Sequence, residues 1–264
     1  MKTPLSMTIV AYHNYDQIIT AIRSIEKHTA PELAKKIYIS DNSVFENGAA
    51  SKEKMDFKAF LAGYADVEYI DNGANLGFGK GHNVVLDRIE SDFHAIVNPD
   101  IEISEDVCSA ILRYMNEEKN AGMVIPQIVD QNGERQQAYR EYPTVFDMFV
   151  RMFCKSMFKG RQAKHTLQHK DYSVPFQVPF AQGCFLVIRT ELFKSLGGFD
   201  DRYFMYMEDA DLCRRVNERS SVMYYPGATV MHAWEKGSHK SRKLMKIHIR
   251  SMLSYFNKWG WKLL

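Results

Sequence analysis

The chain has 264 residues, 45% of them apolar and 25% charged, an ordinary globular composition long enough for one large domain or two small ones. No stretch approaches the roughly 18–20 consecutive apolar residues a membrane span needs, and the short run Met7 to Tyr12, broken by His13 and Asn14, reads as a first strand rather than a secretory signal. Four cysteines (Cys108, Cys154, Cys184, Cys213) lie far apart with no CxxC pair, which points to reduced thiols in a cytosolic protein and away from a disulfide framework or a zinc site.

The first half alternates strand and helix signals. Met7 to Tyr12 is a buried strand. Asn14 caps the next helix, with Gln17 at the capping-box position and Ile18, Ile19, Ile22 and Ile25 on the buried face. Lys36 to Ser40 is a second strand, ending at Asp41-Asn42-Ser43, and Val67 to Ile70 a third. A helix follows from Gly79 to Ile89, then a fourth strand, His94 to Val97, ending at Asn98-Pro99-Asp100. A helix from about Ser104 to Asn116 and a fifth strand, Met123 to Ile128, complete this half. Strands separated by helices imply a mostly parallel sheet flanked by helices, an α/β fold whose ligands gather at the carboxyl ends of the strands. Asp41 and Asp100 both fall there.

The second half is less regular. Asp130-Gln131-Asn132-Gly133 is a hairpin turn. Val145 to Phe158 is helical, with Phe146, Phe149, Phe153 and Met157 on one stripe. Phe180 to Ile188 reads as a strand, Leu212 to Val216 lies on a helix beginning near Glu208, and Val222 to Tyr225 and Thr229 to Met231 are strand-like. Lys243 to Trp259 is a basic amphipathic helix. Charge is segregated: Lys236 to Leu264 holds eight Lys/Arg and no acid, and Arg151 to Pro175 holds six against Asp171 alone, whereas the whole chain is only +2. An acidic body with two basic, aromatic-containing segments suggests an anionic surface as partner, and nucleic acid fits the charge alone.

Several positions carry possible chemistry. Asp41 is either a turn former or a carboxylate that accepts the imide N–H of a uracil or thymine. Asp100, left at a strand rim by Pro99, is either a turn aspartate or a ligand for Mg²⁺ or Mn²⁺, ions that take few protein oxygens and fill the rest with phosphate and water. Asn75 to Asn83 holds three glycines before a helix, able to bring backbone close to a pyrophosphate or sugar, yet lacks the Rossmann and P-loop patterns. Glu208-Asp209-Ala210-Asp211 sets three carboxylates at a helix start, where the macrodipole favours acids and where a general base could also stand. His232, followed by Gly237-Ser238-His239, is either structural or completes a divalent-metal site with Asp100.

Taken in order, Thr8 to Asn14, Ile39 to Ser43, Asn75-Leu76-Gly77-Phe78-Gly79, Asn98-Pro99-Asp100, Gly197-Gly198-Phe199-Asp200, Phe204 to Leu212 and Pro226…His232…Gly237-Ser238 resemble family-2 glycosyltransferases, in particular the rhamnosyltransferase-like branch that builds bacterial surface polysaccharides such as O-antigen. The resemblance implies a GT-A fold over about residues 1–240, with a nucleotide-sugar half (1–128), an acceptor half (129–240) and a basic tail (241–264). It implies a dTDP- or UDP-sugar donor, dTDP-rhamnose first, a divalent metal, inversion at the anomeric carbon, and a polyprenyl-diphosphate-linked saccharide acceptor. Position by position it implies Ala11, Tyr12, Asp41, Asn75, Gly77 and Asn98 at the nucleotide sugar, Asp100 and His232 at the metal, Asp209 as base and Glu208 beside it. The family's DxD motif appears as Asn98-Pro99-Asp100, missing its first acid. With this reading the partners are the donor, the lipid-linked acceptor and the inner face of the cytoplasmic membrane, and no nucleic acid. Two rivals are weaker. A sugar-nucleotide pyrophosphorylase carries glycine at its first strand-to-helix turn, where this chain has Ala11-Tyr12-His13-Asn14. A non-catalytic nucleotide-sugar-binding subunit has no need of the Glu208-Asp209 pair.

Overall fold

The computed structural model describes residues 3–45, 51–153, 157–233 and 241–264. Cys154, Lys155, Lys236, Gly237-Ser238-His239 and Lys240 lie outside the described residues. In chain order the elements are β1 (Leu5–Ala11), α1 (Tyr15–His28), β2 (Lys35–Asp41), α2 (Lys52–Leu61), β3 (Val67–Asp71), α3 (Phe78–Asn83), β4 (Phe93–Val97), β5 (Ile101–Ile103), α4 (Val107–Glu117), β6 (Ala121–Val129) and β7 (Tyr139–Arg140). There follow α5 (Val145–Phe153), α6 (Lys159–His165), β8 (Phe176–Gln177), β9 (Phe180–Ala181), β10 (Phe185–Arg189), α7 (Thr190–Ser195), α8 (Glu208–Asn217), β11 (Ser221–His232) and α9 (Arg242–Trp259).

One sheet runs through the molecule in the order β3-β2-β1-β4-β10-β6-β11-β5, with β8 added on β11. The strands β3, β2, β1 and β4 are parallel, as the strand–helix alternation of the first half requires. β10 then enters antiparallel to both β4 and β6, and β11 runs parallel to β6 and antiparallel to β5, so the far half of the sheet is mixed. An inserted antiparallel strand reverses which of its ends meets the carboxyl rim. Phe185 of β10 lies opposite Val97, and the loop before β10 joins Asp41, Asp71 and Asn98 on one edge.

The core is a two-sided apolar filling: Leu5, Met7 and Ile9 of β1, Ile37 and Ile39 of β2, Ile18, Ile22 and Ile25 of α1, and Ile111 and Met115 of α4 are all fully buried. Cys108, Cys184 and Cys213 are buried free thiols within it, as their apolar surroundings predict. No helix of the described residues is long and apolar enough to cross a membrane.

Three local readings need correction. Asn14 does stand at the N-cap of α1, but its Oδ1 turns back to accept Tyr12 N at 2.9 Å and caps nothing ahead, because His13 takes a left-handed φ of 56°. The helix expected over Gly79 to Ile89 stops at Asn83 and gives way to a short 3₁₀ turn, Leu86–Arg88. Two of its residues are glycine, and Ser40 Oγ donates to the Gly81 carbonyl at 2.7 Å, competing for the helix's own acceptor. The strand expected over Phe180 to Ile188 is two: β9 pairs with β7 in a separate ribbon, and β10 enters the main sheet. On the aromatic stripe, Phe149 of α5 and Met157 beyond it are half-exposed, whereas Met148 and Val150 of α5 are buried.

Candidate active site

Asp41 ends β2 and is fully buried. Its Oδ2 accepts the hydroxyls of Tyr15 (2.8 Å) and Tyr69 (2.6 Å), its Oδ1 accepts Ser43 N (2.8 Å), and Lys54 Nζ stands 3.6 Å away. Burial raises both phenols far above their usual range, so they remain donors. Its register partner Asp71 is the carboxylate that faces out. Asp71 is half-exposed, ion-paired to Lys54 at 2.8 Å and held below the usual carboxylate range by that lysine. Ala11 is buried at the end of β1, whereas Tyr12 is exposed and meets His13 edge-on, which in turn meets Phe45. Three aromatic rings thus run in sequence beside the end of β1, near the strand-end carboxylates Asp41 and Asp71. Composition did not single out Asp71, Lys54 or Phe45. The only available signal was that Asp71, like Asp41, ends a strand.

The glycine-rich segment serves close packing of the chain on itself. Gly77 has φ of 83°, and a Cβ there would stand 2.1 Å from the Phe204 carbonyl oxygen, which accepts Phe78 N at 2.9 Å. A Cβ on Gly79 would meet Phe199 at 2.9 Å and Glu208 at 3.7 Å. Asn75 Oδ1 accepts Gly77 N, and Asn42 Nδ2 donates to Gly77 O. These contacts press α3 onto the segment that leads into α8.

That segment is strained. Tyr206 and Met207 sit consecutively at φ of 68° and 70°, a left-handed pair that costs of the order of 1–2 kcal/mol per residue for side chains with a Cβ. The conformation is held from behind by α9, where Ser251 Oγ donates to Met205 O at 2.8 Å and His248 stacks on Tyr206. It delivers Glu208 and Asp209 to the first turn of α8. Asp209 Oδ1 accepts Ala210 N at 2.8 Å and Oδ2 accepts Gly183 N at 3.3 Å, so the carboxylate is aimed by two backbone groups and remains part-exposed. Glu208 is buried and its Oε2 has no partner. Burial raises both carboxyls, and the charge of Asp209 raises Glu208 further, so Glu208 is the more readily protonated of the two. Asp211, the third acid, is wholly structural. It is fully buried and receives Arg215, Lys258 and the Trp259 indole at 2.6–2.8 Å, riveting α9 to α8.

Asp100 and His232 come together as their positions predicted, and the register explains why. His232 closes β11 opposite Ile101 of β5, one residue beyond Asp100, and Nε2 stands 3.3 Å from Asp100 Oδ1. Gln136, a residue with no local sequence signal, lies 3.2 Å from His232 Nδ1 through its Oε1 and donates through Nε2 to the His232 carbonyl at 2.7 Å. A proton on Nδ1 for Gln136 leaves the Nε2 lone pair facing Asp100. Asn98 Oδ1 is buried and without a partner, and Asn98 Nδ2 is 3.5 Å from the same Nε2. One carboxylate, one imidazole lone pair and one orphaned amide oxygen suit a hard divalent ion that keeps open positions. No cluster of three or more His, Cys, Asp or Glu exists among the described residues, so any ion here leans on its ligand for the remaining oxygens.

Strand-end carboxylates, the Asp100–His232 pair and an oriented Asp209 are residue types that nucleotide-sugar transfer can use. The chain belongs to glycosyl transferase family 2, whose model matches residues 6–197, and it is a glycosyltransferase. Among characterised proteins it is similar to Rhamnosyltransferase WbbL of Escherichia coli (strain K12), 26% identical over 94% of this chain and 90% of that one. It is also similar to the N-acetylglucosaminyl-diphospho-decaprenol L-rhamnosyltransferase of Mycobacterium tuberculosis, 28% identical over 66% of this chain and 61% of that one. Among solved structures the fold matches GalNAc-T7 with UDP, GalNAc and Mn²⁺, with TM-score 0.68, 16% identity and 98% of this chain on 50% of that one. It matches the mannosyltransferase PcManGT of Pyrobaculum calidifontis with GDP-Man and Mn²⁺, with TM-score 0.65, 12% identity and 97% of this chain on 65% of that one. The fold is GT-A, as expected.

Proposed function

We propose that this chain transfers L-rhamnose from dTDP-rhamnose, with inversion, onto a hydroxyl of a saccharide carried on a polyprenyl diphosphate. The observation that carries the reading is Asp209, a part-exposed carboxylate held by two backbone N–H groups beside the buried Glu208, in a chain that also pairs Asp100 with His232. The names of its rhamnosyltransferase relatives support the sugar and the lipid-linked acceptor.

The donor's base binds beside Asp41 and Tyr12, with Asp71 as the outward carboxylate; Asn75 and Gly77 lie beyond it. Asp100 Oδ1, His232 Nε2 and Asn98 Oδ1 would hold Mg²⁺ or Mn²⁺, which when bound neutralises charge growing on the leaving diphosphate. Asp209 takes the proton of the acceptor hydroxyl as that oxygen attacks the opposite face of the sugar, and Glu208 keeps the base singly charged and donates a hydrogen bond into the cleft.

The protein works at the membrane surface. α5 and the tail form one face, where Val145 N and Phe146 N donate to Lys262 O and Leu263 O. Phe149, Phe158, Trp261 and Leu263 are exposed on these segments beside Lys159 and Lys262. Part of the amphipathic tail is occupied otherwise: Tyr255 and Phe256 are buried, and Lys258 is paired with Asp200 and Asp211.

A donor panel (dTDP-rhamnose, UDP-glucose, UDP-galactose, UDP-N-acetylglucosamine) against a prenyl-diphosphate-linked N-acetylglucosamine tests the transfer. dTDP-rhamnose should turn over fastest and yield inverted product. A UDP-hexose working best would replace the donor assignment, and no transfer or donor hydrolysis with any pair would leave a binding subunit. Sedimentation with anionic but not neutral liposomes tests the surface.

A further inference from the structure

The segment that carries Asp209 is fastened from behind by one face of α9. His248, Ser251, Tyr255, Lys258 and Trp259 fall on a single stripe of that helix. Lys258 Nζ reaches both ends of the segment, Asp200 Oδ2 at 2.7 Å and Asp211 Oδ1 at 2.6 Å. Trp259 Nε1 donates to the same Asp211 oxygen at 2.8 Å. Between these ends, Ser251 Oγ donates to the Met205 carbonyl at 2.8 Å, one residue before the left-handed pair Tyr206-Met207, and His248 stacks on Tyr206 with ring centroids 4.6 Å apart. From the other side, Phe78 N donates to Phe204 O at 2.9 Å, and Gly183 N donates to Asp209 Oδ2 at 3.3 Å.

An apolar stripe alone would hold α9 on the body without fixing the φ and ψ of particular residues beneath it. The contacts of α9 are directional, and they fall on the residues that flank the left-handed pair. Two consecutive side-chain-bearing residues at positive φ persist only where their surroundings over-determine them. Relaxing either would swing the first turn of α8 and draw Asp209 away from Gly183 N. A misplacement of about 1 Å can cost on the order of 10²-fold in rate. The opposite face of α9, with Lys246, Arg250 and Leu253, is exposed. The cations of the basic tail are therefore not equivalent, because Lys258 is committed inward to two carboxylates.

We infer that α9 is a clamp for the catalytic base, with Ser251 and Lys258 as positioning residues that fix the segment from Asp200 to Asp211 so that Asp209 meets the acceptor hydroxyl. The inference rests on Asp209 being the base, as proposed above. Both residues act through Asp209, and no bond is made or broken on them.

The test uses the full-length protein and compares Lys258→Met, Lys258→Arg and Ser251→Ala with Arg250→Gln, a control on the exposed face. In Lys258→Met, Arg202 remains on Asp200 and Arg215 on Asp211, so each carboxylate keeps a cation. Loss of a hydrogen bond to a charged group corresponds to roughly 10- to 150-fold, and of a neutral one to roughly 2- to 12-fold. With dTDP-rhamnose and farnesyl-diphosphate-linked N-acetylglucosamine, Lys258→Met should lower kcat at least about tenfold and Ser251→Ala by about 2- to 12-fold, while KM for the donor stays within about threefold. Lys258→Arg, which keeps the charge, should recover most of the loss, and Arg250→Gln should match wild type. A helix that is only structural would lower the melting temperature and leave kcat per folded molecule unchanged. That outcome, or Lys258→Met turning over within about twofold of wild type, would overturn the inference. Hydrogen exchange gives an arm free of turnover. Amides of residues 203–211 should exchange faster in Lys258→Met and Ser251→Ala, with those of β1 and β2 unchanged. Unchanged exchange in that segment refutes the clamp. Faster exchange there supports it even where wild type transfers no sugar between these two substrates, a failure that falls on the donor or acceptor assignment instead.

Discussion

Replacing Asp209 with Asn removes the proton acceptor and keeps the shape. The amide can retain its oxygen on Ala210 N, the shorter contact at 2.8 Å, but then turns NH₂ toward Gly183 N, where Asp209 accepted at 3.3 Å. Losing that weaker bond and facing donor to donor costs about 1–2 kcal/mol of stability, a fall in melting temperature of roughly 2–8 °C for a chain this size. The catalytic loss is larger. A positioned general base contributes about 10²–10⁴, or roughly 2.7–5.4 kcal/mol of barrier. Glu208→Gln is the internal control, because glutamine mimics the neutral glutamic acid that burial favours, and turnover should fall by less than about tenfold. The assay is release of nucleoside diphosphate at saturating donor and acceptor, with calorimetry of dTDP binding alongside. Donor affinity should be nearly unchanged in Asp209→Asn. Turnover within about threefold of wild type, or a Glu208→Gln defect larger than that of Asp209→Asn, would refute the assignment of the base.

Asp100→Ala and His232→Ala should each weaken both Mn²⁺ stimulation and donor affinity, since the two side chains meet at 3.3 Å, and full activity of wild type in EDTA would remove the metal from the reaction. Asp41→Ala strands the hydroxyls of Tyr15 and Tyr69 and one partner of Lys54, so it should cost about 3–5 kcal/mol in urea melts, whereas Asp71→Asn, which weakens only the half-exposed pair with Lys54, should cost less stability and raise the donor's KM. Gly77→Ala pushes a Cβ to 2.1 Å from Phe204 O at φ of 83°, so both stability and turnover should drop, measured by thermal melt and initial rate. Because Glu208 titrates above its unfolded value, its contribution to stability is full below the ordinary glutamate pKa and fades as pH rises through the raised value, by up to about 1.4 kcal/mol per pH unit; Glu208→Gln should flatten that slope. The acid limb of turnover should sit above the ordinary aspartate range, since burial raises Asp209.

The parallel half of the sheet and the rim positions of Asp41, Asn98 and Asp100 were legible in the sequence, because strand periodicity and the residue after each strand are local properties. The pairing of Asp100 with His232 was one of two readings of that histidine, and the family resemblance implied it. Nothing between residues 100 and 232 marks them as neighbours; the antiparallel register of β11 on β5 makes them so. The same limit hid α2, whose apolar pattern is weak, and β5, three residues long.

The sequence by itself determined which side chains were available and where the first sheet's carboxyl ends would fall. Only the tertiary structure decided their roles among chemically identical groups. Three acids stand within four positions of α8, yet Glu208 is buried without a partner for Oε2, Asp209 is aimed by Gly183 and Ala210, and Asp211 is consumed by Arg215, Lys258 and Trp259. Asp41 and Asp71 end adjacent strands, and one is sealed by tyrosines while the other faces out. A carboxylate's work is set by its solvation and its partners, and those arrive from distant strands and helices that no local window contains.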